Sequence, residues 1–144
     1  MGKINWTRVL IGGLVAGVVG NVLWFAAWWL FQRSRVSAVL LALGRPLHET
    51  VAANVLLVVM TFVMGILVVW LYAAIRPRYG PGPKTAALAG VAAGLLCGVF
   101  PDIGWGLTLR LIPGRVWGTD AVVTFVGLVI ATLLGAWVYK EQTP

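Results

Sequence analysis

Two carboxylates, Asp102 and Asp120, fall inside apolar stretches of this sequence, and Asn21 and Asn54 do the same. An ionisable or amide side chain at membrane depth is a candidate ion, proton or polar-solute site, because burying it in hydrocarbon is expensive. Arg110 stands just outside, at the same end as His48, Glu49 and Arg115. Pro101 directly precedes Asp102, with Gly104 and Gly106 after it. A proline removes a backbone donor and leaves the carbonyl four residues back, here Cys97, without a partner. The run from Phe100 to Gly106 is therefore expected to kink or unwind. Irregular backbone at membrane depth is tolerated only where protein or a water-filled cavity surrounds it. The functional reading of Asp102 is an ion or solute site. The plainer reading, which the sequence favours, pairs it with Arg110 or hydrogen-bonds it to Asn21.

Other chemistries lack their residues. His48 is the single histidine and Cys97 the single cysteine, so a multi-histidine or thiolate metal site, a disulfide framework and a CxxC redox pair are excluded. His48 alone leaves only axial ligation of a porphyrin-type pigment. Ser34 and Ser37 are the only serines, and neither lies in GxSxG. The glycines between Arg76 and Lys84 lack the GxxxxGK[ST] spacing of a phosphate loop. The sequence points to no enzyme, no metal and no cofactor.

The elements that hold these residues follow from composition. Of 144 residues, 60% are hydrophobic and 10% charged, against roughly 25% charged in soluble domains. Four apolar segments, about 9–31, 51–75, 85–112 and 116–139, each exceed the ~20 residues needed to cross a hydrocarbon core. In lipid the backbone must satisfy itself, so each reads as an α-helix. The expected fold is an all-α polytopic membrane protein, one domain of four transmembrane helices with both termini on the same side. The first segment is too long for the apolar part of a signal peptide and reads as a retained helix. Val36, Val39, Leu40 and Leu43 keep helical spacing up to Gly44, either as a surface helix or as an extension of the first span. Residues 76–84 read as a stiff basic turn, and Ile112-Pro113-Gly114-Arg115 as a type II turn.

Depth gathers the polar residues. With the N-terminal side called cis and the other trans, Asn21 lies roughly 20 Å along the first helix and Asp102 about 25 Å along the third, while Asn54 and Asp120 lie about 5 Å into helices that start from trans. All four fall in the trans third. The aromatic residues form two belts, with Trp6, Trp70, Tyr72, Tyr79, Trp137 and Tyr139 at cis. Trp28, Trp29, Trp105 and Trp117 lie at trans, with Trp24 deeper.

The net charge of +7 comes from basic residues at the ends of apolar runs, which is headgroup anchoring rather than a nucleic-acid footprint. Lys3, Arg8, Arg76, Arg78, Lys84 and Lys140 fall at cis, and Arg33, Arg35, Arg45, Arg110 and Arg115 at trans. This excess of one basic residue, plus the terminal amine, favours a cytoplasmic N-terminus. Small residues recur at four-residue steps: Gly13 and Gly17; Gly90, Gly94 and Gly98; Gly127, Ala131 and Gly135. Such seams let helix backbones approach closely.

The opening Gly2-Lys3-Ile4-Asn5-Trp6-Thr7-Arg8-Val9, with Gly12-Gly13-Leu14-Val15-Ala16-Gly17 and Asn21, resembles the start of a family of uncharacterised small four-helix bacterial membrane proteins. Members often carry an acidic residue soon after the Asn, where this chain has Trp24, Phe25 and Ala26. The resemblance covers about the first 25 residues and implies four spans and a bacterial inner-membrane location, with no assigned activity. The function expected from sequence is a non-enzymatic accessory or assembly subunit in the bilayer, packing through its glycine seams in a homo-oligomer or larger membrane complex. The alternatives are a small dimeric transporter or channel with its site around Asp102, and a pigment- or quinone-contacting subunit.

Overall fold

The computed structural model describes residues 4–109 and 113–140, and over them the chain is all-α. Four helices are long and apolar enough to cross a membrane: α1 (Trp6–Ala42), α2 (Val51–Tyr79), α3 (Pro83–Thr108) and α4 (Gly114–Val138).

Local chemistry sets their ends. Asn5 caps α1, its Oδ1 accepting the Arg8 N–H at 3.1 Å. Thr50 caps α2 in the same way through the Ala53 N–H at 3.2 Å. Each cap satisfies a donor that the first turn leaves without a partner. At the other end of α1, Gly44 takes φ +71°. The Arg45 N–H reaches Leu40 O at 2.8 Å and the Gly44 N–H reaches Leu41 O at 3.0 Å, the paired closure of a Schellman cap. Residues 32–42 are thus an extension of the first span and not a separate surface helix. At 1.5 Å per residue α1 is about 55 Å long, well beyond a ~30 Å hydrocarbon core. Its polar stretch from Gln32 to Ser37 therefore runs out of the apolar band at the trans end.

Two turns depart from the sequence expectation. The basic turn is shorter than 76–84, because α2 continues through Pro77 to Tyr79. A proline in a last turn forfeits one hydrogen bond without breaking a long helix. The reversal is left to Gly80 and Gly82, at φ +83° and +127°. Before α4, Gly114 is not the left-handed residue of a type II turn; it is the first residue of the helix, with Pro113 extended at ψ 142° as its cap.

The irregularity in α3 precedes Pro101. A π turn spans Leu95–Val99, closed by the Phe100 N–H on Leu95 O, and the helix continues through Gly104 and Gly106. The wider turn absorbs the donor missing at Pro101, so the expected unwinding over 100–106 does not occur. α1 carries a second π turn, Trp28–Gln32, closed by the Arg33 N–H on Trp28 O.

α1 packs against α2 and α4, and α4 also packs against α3; α2 touches both α3 and α4. Glycines make these approaches. A Cβ on Gly12 would sit 2.5 Å from Gly135 O, and one on Gly135 would sit 2.7 Å from Gly12 O. Gly13 lies against the Ile66 backbone and Gly17 against Phe62. Gly65 faces Gly13 O and Gly17 N, where a Cβ would come within 2.5 and 2.6 Å. Gly90, Gly94 and Gly98 meet Val129, Phe125 and Thr124 of α4 in turn. Gly127 departs from the pattern, because a Cβ there would meet nothing within 4 Å.

The dense core lies in the cis half. Val9, Val68, Val69 and Thr132 are fully buried. The Tyr72 and Tyr139 rings meet edge to face at 5.9 Å, and both are buried. The Tyr139 hydroxyl accepts the Asn5 N–H and the Tyr72 hydroxyl the Gly82 N–H, each at 3.3 Å. The Arg76 guanidinium lies 5.6 Å over the Tyr139 ring. These contacts tie the start of α1, the end of α4 and the α2–α3 turn together at one end.

Candidate functional site

The opposite end is loosely filled. A cavity of about 240 Å³ opens there between α1, α3 and α4, and both Asp102 and Asp120 border it. Asp102 sits three residues past the second π turn, and Asp120 two turns into α4. Gln32, the last residue of the first π turn, is 4% exposed. Its Nε2 donates to Asp120 Oδ1 at 2.5 Å. A π turn holds one extra residue, which advances the later register by about 100°. That shift carries Gln32 off the lipid-facing side and toward α4. Among the described residues Asp102 has no hydrogen-bond or ion-pair partner.

The walls are aromatic. Trp24 and Trp28 of α1 lie parallel with centroids 6.0 Å apart. Trp105 of α3 and Trp117 of α4 complete the wall. The Trp117 indole rests on Gly106, where a Cβ would come within 2.5 Å of it. The loop after α1 folds back to fix this end. Glu49 Oε1 accepts from Trp28 Nε1 at 3.3 Å and from Arg33 Nε at 3.2 Å. The Arg33 guanidinium lies 4.6 Å over the Trp29 ring, and Arg35 donates to Thr119 Oγ1 at 3.2 Å. The loop carrying Glu49 and the start of α4 are thereby held against α1 at the cavity mouth.

The polar cluster expected from depth divides. Asp102 and Asp120 share the cavity. Asn21 does not face Asp102; its Nδ2 donates to Gly17 O at 2.9 Å and to Val58 O at 3.5 Å, along the α1–α2 contact. Asn54 is exposed on the first turn of α2. Arg110 lies outside the described residues. His48 is exposed in the loop after α1. Pro101 acts on the site indirectly, by requiring the π turn beside Asp102. No group of three or more His, Cys, Asp or Glu among the described residues is placed to hold a metal.

Gln32, Gly12 and Gly65 are the contributors that sequence reasoning missed. Gln32 reads as the polar end of an apolar run, and only the π turn reorients it. Gly65 belongs to no glycine step, since Thr61 and Val69 stand four positions away on either side.

A second cavity, about 260 Å³ and mostly apolar, lies deeper between α1, α2 and α4, with Cys97 of α3 also at its wall. Gly127 borders it, which is why a Cβ there meets nothing. Trp24 borders both cavities.

The chain is thus an all-α bundle with four helices fit by length and composition to cross a membrane, and one polar, aromatic-walled cavity end. No protein-family model, no curated protein and no solved structure matches it.

Proposed function

We propose that this chain is a four-span integral protein of a bacterial inner membrane that works as a small non-enzymatic carrier, taking its solute between Asp102 and Asp120. The observation that supports the reading is the asymmetry of the bundle. The trans end holds two carboxylates around an open cavity, while the cis end is closed by buried Tyr72, Tyr139 and Val69. A binding site open to one side and sealed from the other is the arrangement an alternating carrier adopts in one of its states. The basic residue count favours a cytoplasmic N-terminus, and the resemblance of the first 25 residues to small bacterial membrane proteins supports the four spans. The cavity then opens on the outer side.

Two measurements test this. Reporter fusions after residues 40, 80, 114 and 144 are expected to report outside, inside, outside, inside; opposite sides for 80 and 144 would remove the four-span arrangement. Proteoliposomes on a solid-supported membrane should give a saturable current on exposure to at least one of potassium, sodium, ammonium, choline or a pH step. A folded, reconstituted protein silent to all five would overturn the carrier reading.

The accessory-subunit reading has one observation of its own. Residues 51–60 of α2 are exposed on every side except at Val58, and Asn54 lies among them. An amide on an otherwise apolar, uncovered stretch suits a contact with another chain. The glycine seams do not add to that reading, because Gly13, Gly17, Gly90, Gly94, Gly98 and Gly135 are all covered within this chain.

A further inference from the structure

The wall chemistry of the trans cavity narrows the solute class. Four indoles border it together with Asp102 and Asp120, and among the described residues no Lys, Arg or His lines it. Of the cationic side chains near its mouth, Arg33 pairs with Glu49 and the Trp29 face, and Arg35 donates to Thr119. Two carboxylates exclude an anion. Two like charges on one largely apolar cavity repel each other, and a cation between them removes that cost.

The cation is not a hard metal ion. Calcium and magnesium take six to eight oxygen ligands, whereas the described lining offers side-chain oxygens only from Asp102, Asp120 and Gln32. Nor is the space that of a single ion, since about 240 Å³ is several times the ~30 Å³ share of one water molecule. A primary ammonium has three N–H donors to satisfy, and most of this wall is indole. A methylated ammonium needs no acceptor. It needs apolar contact and a negative potential, and the indole face supplies both within about 6 Å of a ring centroid.

We propose that the cavity between Trp24, Trp28, Trp105 and Trp117 binds a small organic cation with a methylated ammonium head, neutralised by Asp102 and Asp120. The proposal rests on the solute-binding reading above and names the class of solute. Trp24 also borders the apolar cavity, so an alkyl group on the cation has an apolar space to enter along that indole. Lengthening the alkyl chain should then strengthen binding, by about fourfold per methylene that is buried.

The test is equilibrium binding to the full chain in nanodiscs of phosphatidylethanolamine and phosphatidylglycerol, which carry no methylated ammonium head. Choline, hexyltrimethylammonium and the uncharged choline isostere 3,3-dimethylbutanol are titrated by calorimetry and tryptophan emission. Saturable binding of both ammonium compounds is expected, hexyltrimethylammonium tighter, with the isostere at least tenfold weaker. Asp120→Asn and Trp105→Leu should each weaken choline binding tenfold or more. Trp137→Leu, at an exposed position on the cis side, should leave it unchanged. Equal binding of the isostere, or no saturable binding to a folded protein, would overturn the proposal. A sodium or proton current without ammonium binding would keep the carrier and discard this solute class. Ammonium binding without any current would keep the site and discard the carrier.

Discussion

Gly65→Leu is expected to be the most damaging single substitution in the bundle. Gly65 of α2 faces the carbonyl of Gly13 and the amide nitrogen of Gly17 on α1, and a Cβ would stand 2.5 and 2.6 Å from them. Both neighbours are backbone, so no side chain can rotate away. Relief requires α1 and α2 to separate, which loosens the burial of Val68 and Val69 one turn further along. Overpacking a tight core costs typically about 1–3 kcal/mol, and this site belongs at or above the top of that range. Gly94→Leu should cost less, because the nearest atom to its added Cβ is the ring edge of Phe125, which can turn. Gly127→Ala is the control, since its new methyl enters open space. Thermal unfolding of purified variants in mild detergent, followed by circular dichroism, should rank them in that order. A Gly65→Leu protein as stable as Gly127→Ala would mean that α1 and α2 are not in contact there.

Why Gly65 escaped the sequence and Gly94 did not is a matter of period. Gly90, Gly94 and Gly98 share one face of α3 and announce it by spacing alone. Gly65 works singly, because the residues it meets are the small ones of another helix. The four apolar spans were legible for the reason that makes them span: lipid leaves a backbone no partner but itself. Depth was legible too, at 1.5 Å per residue, and it placed Asp102 and Asp120 at one end. Azimuth was not. Two π turns, Trp28–Gln32 and Leu95–Val99, each shift the helical phase after them. An ideal 3.6-residue wheel therefore misplaces every later residue in α1 and α3. The turn at Trp28–Gln32 reorients Gln32 and the one at Leu95–Val99 reorients Asp102, while depth alone does not say which helix Asn21 faces. Pro101 signalled that something irregular was near, without saying that the helix would widen before it and not break after it.

Asp102→Asn is expected to abolish solute-dependent current while leaving the bundle folded. The two effects separate because of what surrounds the carboxylate. Among the described residues it makes no hydrogen bond and no ion pair, so the amide removes no contact there. Polar contacts between membrane helices average only about 0.6 kcal/mol in any case, and the change in thermal stability should stay within that. The charge is a different matter, since the indoles of the cavity hold a cation only weakly unless a carboxylate balances it. Current should fall at least tenfold, with no recovery at higher solute concentration if Asp102 acts in the moving step. Asp120→Asn should resemble it in current but differ in stability, because the Asp120 carboxylate accepts from buried Gln32. Gln32→Leu completes the comparison. It leaves half-buried Asp120 without that donor, and a partner left fully unsatisfied costs about 1–3 kcal/mol. That variant should lose more stability than either Asn variant while keeping some current. An Asp102→Asn protein that unfolds would make Asp102 a structural residue, paired with a group such as Arg110. One that stays folded and carries full current would remove Asp102 from the site.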